Sequence, residues 1–270
     1  MSEIVLSAGV RANLLQLQRT AGLIDTTQTR LATGKRVNSA LDNPINYFTA
    51  QGLSNRAGDL SNLLDSMSTA INTIQAANNG ISGISKLVQS AQSIVSQALQ
   101  TSDTTVRATL SAQFDALRTQ IDQLQGDSGF NGVNLIGGNN LTVIFNETGT
   151  STATFTGVTD NSAGLSITAS ANNWAANADI NAAGADLTAA LTKLRGQAQT
   201  LGSNLALVQI RQDFTKTMIN TLQVGADSLT LADTNEEGAN LLALQTRQQL
   251  STTALSLASQ AQQNVLRLFQ

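Results

Sequence analysis

The sequence predicts a mainly α protein: an elongated antiparallel coiled coil or helix bundle whose N- and C-terminal helices pair, with a small β-hairpin insert. Both ends of the chain carry apolar residues spaced alternately three and four positions apart, which is the pattern of a coiled-coil seam. The chain has one proline, Pro44, so long helices can run without interruption. Residues 129–181 are rich in Gly, Thr, Asn and Ser and lose the helical period, which indicates short strands and turns.

The first helix is predicted to occupy the N-terminal segment and to end at Gly34, because glycine followed by a basic residue is typical of a helix C-terminus. Its apolar stripe forms one half of a terminal coiled coil. The predicted seam positions are Leu14, Leu17, Ala21, Ile24, Gln28 and Leu31.

The second helix is predicted to begin at Asn43-Pro44, since Asn is a good N-cap and Pro suits the first helical position. It continues for about 55 residues, a length typical of a coiled coil or an elongated bundle. The polar stretch 101–105 ends it, and a third amphipathic helix follows over residues 106–124. The predicted stripe of the second helix contains Leu60, Leu64, Met67, Ile71, Ile74, Asn78, Ile81, Ser85, Val88, Gln92, Val95 and Leu99.

The insert contains turn signals, Asn131-Gly132 and Gly137-Gly138, and three stretches in which apolar and polar residues alternate. We expect two to four short strands arranged as hairpins. The alternating apolar positions are Leu141, Val143 and Phe145, then Ala153 and Phe155, then Leu165, Ile167 and Ala169.

Helix is predicted to resume near Ala182 and to run along a stripe that includes Phe214 and Met218, before a last helix completes the terminal pair. The C-terminal seam residues are Leu241, Leu244, Leu255, Ala258, Val265 and Phe269, with Gln248, Ser251 and Gln262 between them. We therefore predict three regions. Residues 1–43 and 231–270 form the terminal coiled coil and its connecting loop, 44–128 and 182–230 a helical core, and 129–181 a small β-rich surface module.

The composition excludes most kinds of catalytic and metal-binding site. The chain has neither cysteine nor histidine, so disulfides, thiolate ligands and the commonest general base are absent, and no cofactor or metal site is expected. Its acids do not cluster, and it lacks the familiar catalytic motifs, so we expect no enzyme activity.

No Lys or Arg occurs between Arg118 and Lys193, and without a contiguous basic stripe we expect no nucleic-acid binding. No stretch reaches about 18 apolar residues, and the first residues lack a basic start followed by an apolar run, so we expect neither membrane insertion nor a cleavable signal peptide.

The terminal helices present a problem for a single chain. A pair of slim helices buries one stripe on each partner, and helices in proteins are stabilised mainly by tertiary packing. Identical neighbours can cover the remaining apolar faces, and a head-to-tail contact that does not close produces an open helical filament. The sequence therefore favours a subunit that packs against copies of itself.

Two motifs and the C-terminal run carry a family resemblance. Residues 31–44, LATGKRVNSALDNP, are similar to the loop by which bacterial flagellins join their terminal helix to their core. Residues 129–135, GFNGVNL, resemble the flagellin exit from the helical core, and residues 232–270 are similar to the flagellin terminal helix. The loop motif positions are Thr33, Gly34, Lys35, Arg36, Asn38, Ser39, Ala40, Asp42 and Pro44, and those of the core-exit turn are Phe130, Asn131 and Gly132. The chain resembles a short flagellin without large hypervariable outer domains.

This resemblance implies a subunit that leaves the cell unfolded through a type III export apparatus with a flagellin chaperone. It implies polymerisation into an extracellular filament used for swimming, with filament cap and hook–filament junction proteins as partners. The terminal helices are expected to line an inner tube. Two alternatives remain: a hook–filament junction protein, and a secreted helical binding module that uses similar amphipathic stripes.

The hydroxyl-rich stretch of the insert is a candidate for O-linked sugars, with ordinary polar strand faces as the alternative. The candidate positions are Thr148, Thr150, Ser151, Thr152, Thr154 and Thr156.

Overall fold

The fold was taken from a computed structural model, which describes residues 8–268. Within that range the chain forms five α-helices and one two-stranded sheet, so the predicted mainly α class with a small β-hairpin is confirmed. The helices are α1 (Ala8–Thr33), α2 (Pro44–Gln100), α3 (Thr104–Asp127), α4 (Asn177–Thr230) and α5 (Thr234–Leu268). The strands are β1 (Leu141–Ile144) and β2 (Thr152–Phe155), and a 3-10 turn, Asn172–Trp174, precedes α4.

Side-chain caps explain where the helices begin. The Asn43 side-chain oxygen accepts the backbone N–H of Asn46 at 3.0 Å, and Pro44 opens a helix of 57 residues. The prediction of one long helix starting at this pair is confirmed. Asp103 caps α3 in the same way, accepting the N–H of Thr105 at 2.8 Å.

The contacts divide the chain into two compact units. Among the described residues, the terminal unit takes 8–55 and 221–268, and the core unit takes 56–220. The division falls inside α2 and α4, whereas the predicted regions divide the chain at helix ends. The predicted three-region organisation therefore stays a prediction.

The apolar centre of the core unit is built on α2, α3, α4 and the insert. The observed contact stripe of α2 differs from the predicted one, because five alternate positions are shifted back by one residue, four of them onto alanine and one onto Ile84. Ala77 and Ala91 are buried where the prediction has Asn78 and Gln92. Alanine lets a neighbouring backbone approach closely, so tight packing selects it over a longer neighbour. The stripe is Met67, Ala70, Ile74, Ala77, Ile81, Ile84, Val88, Ala91, Val95 and Ala98.

Helix α4 starts at Asn177, earlier than the expected Ala182. Its buried face is also offset by one residue, in the opposite direction to that of α2: Phe214, which the prediction places in the stripe, is exposed, and the following Thr215 is buried. The sequence pattern thus identifies the helix and misplaces part of its buried face.

The insert holds two strands, the lower end of the expected two to four. β1 and β2 pair antiparallel, from Leu141 opposite Phe155 to Ile144 opposite Thr152. Val143 and Phe155 are buried while their neighbours along the strands are not, as the alternation predicts. The third alternating stretch, around Leu165, does not form a strand.

That third segment is buried but turns back on itself. Leu165 N–H donates to the carbonyl of Asn161 at 2.9 Å, and Ile167 N–H donates to that of Ser162 at 2.8 Å. The Asp122 carboxylate of α3 accepts from both the N–H and the hydroxyl of Ser162, at 2.6 and 3.0 Å. These side-chain and local bonds replace the ladder that a strand would need.

A left-handed turn leads into α4. Asn172, Asn173 and Trp174 all have φ near +50°, at 50°, 49° and 57°. The turn buries the Trp174 ring completely against Phe114, with 5.1 Å between ring centroids. The backbone strain of a tryptophan at positive φ is offset by the burial of its large ring.

Candidate functional site

The candidate site is the terminal unit, because the candidate functional residues concentrate there. Its helices α1 and α5 pack against each other. Arg30, near the end of α1, donates to Glu237, near the start of α5, at 2.9 Å. The end of one helix meets the beginning of the other, so the pair is antiparallel. Because Glu237 is buried, this ion pair fixes the register in which α1 and α5 align.

The α1 side of the contact contains more polar residues than predicted. Thr20 and Thr27 are buried, together with Ile24, while the predicted positions Ala21 and Gln28 are half-buried and exposed. Leu17 and Leu31 are half-buried, and Leu14 is exposed. The buried face therefore passes through the threonines, whose hydroxyls can bond back to their own helix, as Thr20 does to the Gln16 carbonyl at 2.9 Å.

On α5 the seam positions lie on one half-buried stripe. Leu241, Leu244, Leu255 and Ala258 are all half-buried, as are Gln248 and Ser251 between them. The side chain of Val265 and the whole of Phe269 lie outside the described residues, and so does the side chain of Gln262. The seam assignment on both helices stays a prediction for the assembled state.

The outer faces of the pair carry large apolar side chains in contact with solvent. On α5, Leu242, Leu250 and Leu257 are 68%, 67% and 62% exposed, and on α1 Leu15 and Leu23 are also exposed. The three α5 leucines lie on one side of the helix, within about 80° of one another, and large apolar side chains left in solvent along one helix face indicate a surface that needs a partner. A single chain therefore leaves the terminal pair incompletely covered.

The loop between α1 and α2 is tied to the link between α4 and α5. Gly34 ends α1 with φ of 68°, a conformation that glycine adopts without strain. Its carbonyl accepts the N–H of Ala232 at 2.9 Å, and the Thr230 carbonyl accepts the N–H of Arg36 at 2.8 Å. Thr33 folds back onto its own helix, through its hydroxyl to the Thr29 carbonyl at 2.8 Å.

The Asp42 carboxylate organises the rest of the loop motif. One oxygen accepts the backbone N–H groups of Asn38 and Ser39, both at 2.9 Å, and the Ser39 hydroxyl at 3.3 Å. The Asn38 amide donates to the Lys35 carbonyl at 3.0 Å. The N–H groups of Ser39 and Asn38 hold the pKa of Asp42 below its usual value, since they stabilise the ionised form. This explains why the motif joins Asn, Ser and Asp at this spacing.

The basic residues of the motif are exposed, and Ala40 is half-buried. Lys35 pairs with Leu231 through its backbone, and Arg36 reaches the Ser228 carbonyl at 3.5 Å. Neither side chain forms an ion pair among the described residues.

Sequence reasoning missed an exposed apolar cluster beside this loop. Leu41 is 96% exposed, Ile45 76% and Phe48 63%. The sequence contains a sign of this cluster, because its three large apolar residues are spaced four and three positions apart. They lie on either side of Pro44, before the first residue of the apolar stripe predicted for the second helix.

The core-exit turn, in the core unit, is a tight hairpin bend. Phe130 and Val133 exchange backbone bonds at 2.9 and 3.0 Å, and the residues between them have positive φ, 49° at Asn131 and 80° at Gly132. Asn-Gly is the pair that this type of turn requires. The following Asn134 donates from its amide to the Gln125 carbonyl at 2.7 Å, which anchors the turn to the end of α3.

The hydroxyl-rich tip of the insert is mostly in solvent. Thr148, Thr150, Thr152, Thr154 and Thr156 are exposed, and Ser151 is half-buried. The hydroxyls of Thr148 and Thr150 bond to each other at 2.9 Å. Modification of these hydroxyls stays a prediction.

Across residues 8–268, no group of acidic, histidine or cysteine side chains is arranged to hold a metal ion. Among the described helices, none combines the length and apolarity that crossing a bilayer demands.

Comparisons with known proteins agree on one family. Residues 7–141 match the bacterial flagellin N-terminal helical region, and residues 185–269 match the bacterial flagellin C-terminal helical region. Flagellins FljM and FljK of Caulobacter vibrioides are each 30% identical to the chain over 275 residues, covering 100% of it and 99% of each relative. Flagellin A of Rhizobium meliloti is 42% identical over 81 residues, which span 30% of this chain and 20% of that protein.

A solved structure, that of Bacillus cereus flagellin, superposes with a TM-score of 0.49 and 18% identity, over 56% of this chain and 88% of that one. Together, the two family regions and the full-length relatives cover the helices at both ends of the chain and the motifs that join these helices to the core. The chain therefore belongs to the bacterial flagellins, and it is a structural subunit of the extracellular flagellar filament, not an enzyme.

Proposed function

We propose that this chain polymerises with copies of itself through its terminal unit, and that the resulting filament drives swimming. The observation that supports this is the exposed outer face of the terminal pair, where leucines on both helices lie in solvent in the single chain. Burying apolar surface stabilises by about 25 cal/mol per Å². Packing α1 and α5 of neighbouring copies together removes this surface from water.

In the proposed filament the terminal helices form the inner layer, the long helices of the core surround them, and residues 129–181 face outward. Export through a type III apparatus with a chaperone, and contacts with cap and junction proteins, complete the proposal. Their support is family membership.

The test is seeded polymerisation of the full chain, followed by electron microscopy. Wild type is expected to give long uniform filaments. Replacing the outward residues Leu242, Leu250 and Leu257 by Glu keeps the half-buried seam and is expected to abolish growth. A control with the same added charge, Thr148, Thr150 and Thr152 to Glu, alters only the exposed tip of the insert and is expected to polymerise.

Deletion of residues 1–33 or 238–270 should likewise prevent growth while leaving the core unit folded. Wild-type chains that stop at short capped oligomers would instead favour a hook–filament junction protein. Monomers that bind a different protein would favour a secreted binding module.

We also propose that the exposed hydroxyls at the tip of the insert carry O-linked sugars. Their exposure supports this, since a transferase needs access to each oxygen. Mass spectrometry of the protein from its native source checks it. An intact mass equal to the unmodified 28.2 kDa contradicts the proposal.

A further inference from the structure

The carboxyl group of Asp160 is buried inside the core unit without a hydrogen-bond partner. The residue is 0% exposed, and neither of its side-chain oxygens meets a donor among the described residues. No other carboxyl group within residues 8–268 has both oxygens buried and unbonded. An ionised carboxylate can only accept hydrogen bonds, so burying one without a donor is costly. The fold therefore leaves this group in need of a donor or of a proton.

The backbone holds Asp160 in its buried position. Its N–H donates to the Ile136 carbonyl at 2.9 Å, and the Val158 N–H donates to the Leu135 carbonyl at 2.7 Å. Leu135 and Ile136 are themselves almost completely buried. The carboxyl group therefore meets water only when the segment that carries it moves.

Helix α4 presents an amide to this carboxyl group. Gln197 and Lys193, one turn apart on α4, are the side chains of that helix that act on Asp160. The Gln197 amide oxygen is also buried without a hydrogen-bond partner. Two groups with unused acceptors thus lie in the same region. A carboxylate and an amide oxygen repel each other, whereas a neutral carboxylic acid has an O–H to donate.

The charged groups around the site are already bonded elsewhere. Lys193 is exposed, and its ammonium group donates to the Gly164 carbonyl at 2.6 Å. On α3, the Asp122 carboxylate accepts from the N–H and the hydroxyl of Ser162. Residues 128–146, which include the segment bonded to Asp160, contain no titratable side chain. No neighbouring group is thus committed to Asp160 as a counter-charge.

Burial is the main influence on this carboxyl group. It raises the pKa of Asp160 from the ordinary value of 3.8, and it outweighs Gln197 and Lys193, which act in the opposite direction. The folded chain therefore holds the proton at pH values at which an ordinary aspartate has begun to lose it.

We infer that Asp160 binds a proton in the folded chain and pairs, as a neutral acid, with the Gln197 amide. The proton comes from solvent. The acid O–H donates to the amide oxygen, and the other acid oxygen accepts from the amide nitrogen, so two hydrogen bonds close one ring. Loss of the proton removes one of these bonds and leaves a carboxylate beside an amide oxygen, which favours detachment of the turn at residues 160–167 from α4. The pair is a proton-dependent latch within one chain, and it does not depend on polymerisation.

Carboxyl ¹³C NMR of the dilute, unpolymerised chain tests the proton. The Asp160 signal is identified by its absence from Asp160→Asn, and it is followed from pH 3 to pH 8 together with the side-chain amide of Gln197. We expect Asp160 to titrate above the ordinary value of 3.8, and the Gln197 amide signals to move with the same midpoint. A midpoint at or below 3.8, or a Gln197 amide that does not respond, overturns the inference.

Hydrogen exchange tests the latch. The N–H groups of Leu165 and Ile167 donate to carbonyls within the turn and so report its opening. Their protection is expressed relative to the unstructured chain at each pH, so that the pH dependence of exchange itself cancels. In wild type we expect protection to fall severalfold between pH 5 and pH 8. In Asp160→Asn, whose side-chain amide can pair with Gln197 at every pH, we expect no such fall.

Asp122→Asn is the matched control, because it makes the same chemical change at a carboxylate that holds the same turn through Ser162. It is expected to lower protection at both pH values while keeping the fall between them. A fall of equal size in Asp160→Asn, or no fall in wild type, contradicts the latch.

Discussion

The terminal unit and the core unit are built on the same alternation of three and four residues, yet they treat apolar surface differently. In the core unit the large side chains of the stripe, such as Met67, Ile74 and Val88, are almost completely buried within one chain. In the terminal unit two of the most buried positions are threonines, Thr20 and Thr27, while leucines on the same helices lie in solvent. Helical spacing therefore identifies a surface that needs a partner, but it does not specify whether that partner belongs to the same chain.

The largest difference between the two units is expected when the same substitution, isoleucine to alanine, is made in each of them. Ile74→Ala, in the core, is expected to lower the free energy of unfolding by about 3–5 kcal/mol, because it leaves a cavity among packed side chains. Ile24→Ala, in the two-helix contact, should cost the monomer about 2 kcal/mol or less, since fewer atoms surround the site.

Urea unfolding checks this pair of variants. The single tryptophan, Trp174, is buried in the core unit, so its fluorescence reports that unit, and circular dichroism follows the helices as a whole. Equal losses at the two isoleucines would show that the terminal pair is as complete in the monomer as the core.

Replacing a glycine inside a helix by alanine should change stability in opposite directions in the two units. A Cβ added at Gly80 would lie 2.6 Å from Ile136 and 2.7 Å from Ser128, so Gly80→Ala is expected to cost about 1–3 kcal/mol. A Cβ at Gly22 meets nothing within 4 Å, so Gly22→Ala should stabilise α1 by about 0.5–1 kcal/mol. Thermal unfolding of the two variants measures both, and a stabilising Gly80→Ala would show that this glycine serves no packing role.

The ion pair between Arg30 and Glu237 tests how firmly the terminal register is held. Arg30→Gln leaves the buried Glu237 carboxylate without its cation, and we expect a loss of about 1–2 kcal/mol in the terminal unit. Glu237→Gln in the same background should recover part of the loss, because it removes the unpaired charge. The double-mutant cycle, followed by circular dichroism, measures the coupling, and no coupling would mean that the pair does not set the register.

Lowering the pH should stabilise the core unit through Asp160 and destabilise the terminal unit through Asp42, and the two changes should occur in separate pH ranges. Burial raises the pKa of Asp160 in the core unit, so its ionised form is disfavoured in the fold. That penalty is relieved as pH falls from the raised folded pKa toward the ordinary value of 3.8. The pKa of Asp42 is lowered, so its contribution is present above 3.8 and is lost as pH falls through its lower folded pKa.

The matching variants are Asp160→Asn and Asp42→Asn. Asp160→Asn should raise the melting temperature at pH 7, with the difference from wild type vanishing near pH 4. Asp42→Asn should be less stable than wild type at neutral pH and should lack the loss below pH 3.8. Melting curves recorded from pH 7 to pH 2.5 check both variants. A stabilising effect of Asp160→Asn that persists unchanged at pH 3 would point to packing, not to charge.

Much of the terminal site was predictable because local signals determine it. The Asn43 cap and the left-handed Gly34 there, like the Asn131-Gly132 turn in the core unit, each depend on the chemistry of one or two residues. The motif around Asp42 was identified by resemblance, and the structure adds its physical reason, a carboxylate that accepts two backbone N–H groups. The exposed cluster at Leu41, Ile45 and Phe48 escaped prediction, since a stripe of apolar residues was expected to be covered.

The helices, most of their ends, the position of the insert and the lack of cysteine and histidine chemistry can all be read from the sequence, because they follow from local propensity and composition. Tertiary packing selected, at alternate positions of the predicted stripes, which of two neighbouring residues is buried. At several of them an alanine or threonine is buried beside a larger neighbour, as Ala77 is beside Asn78 and Thr215 beside Phe214, because close backbone approach favours small side chains. It also decided that the segment around Leu165 is a turn, since the Asp122 carboxylate, distant in sequence, accepts the bonds that reshape it.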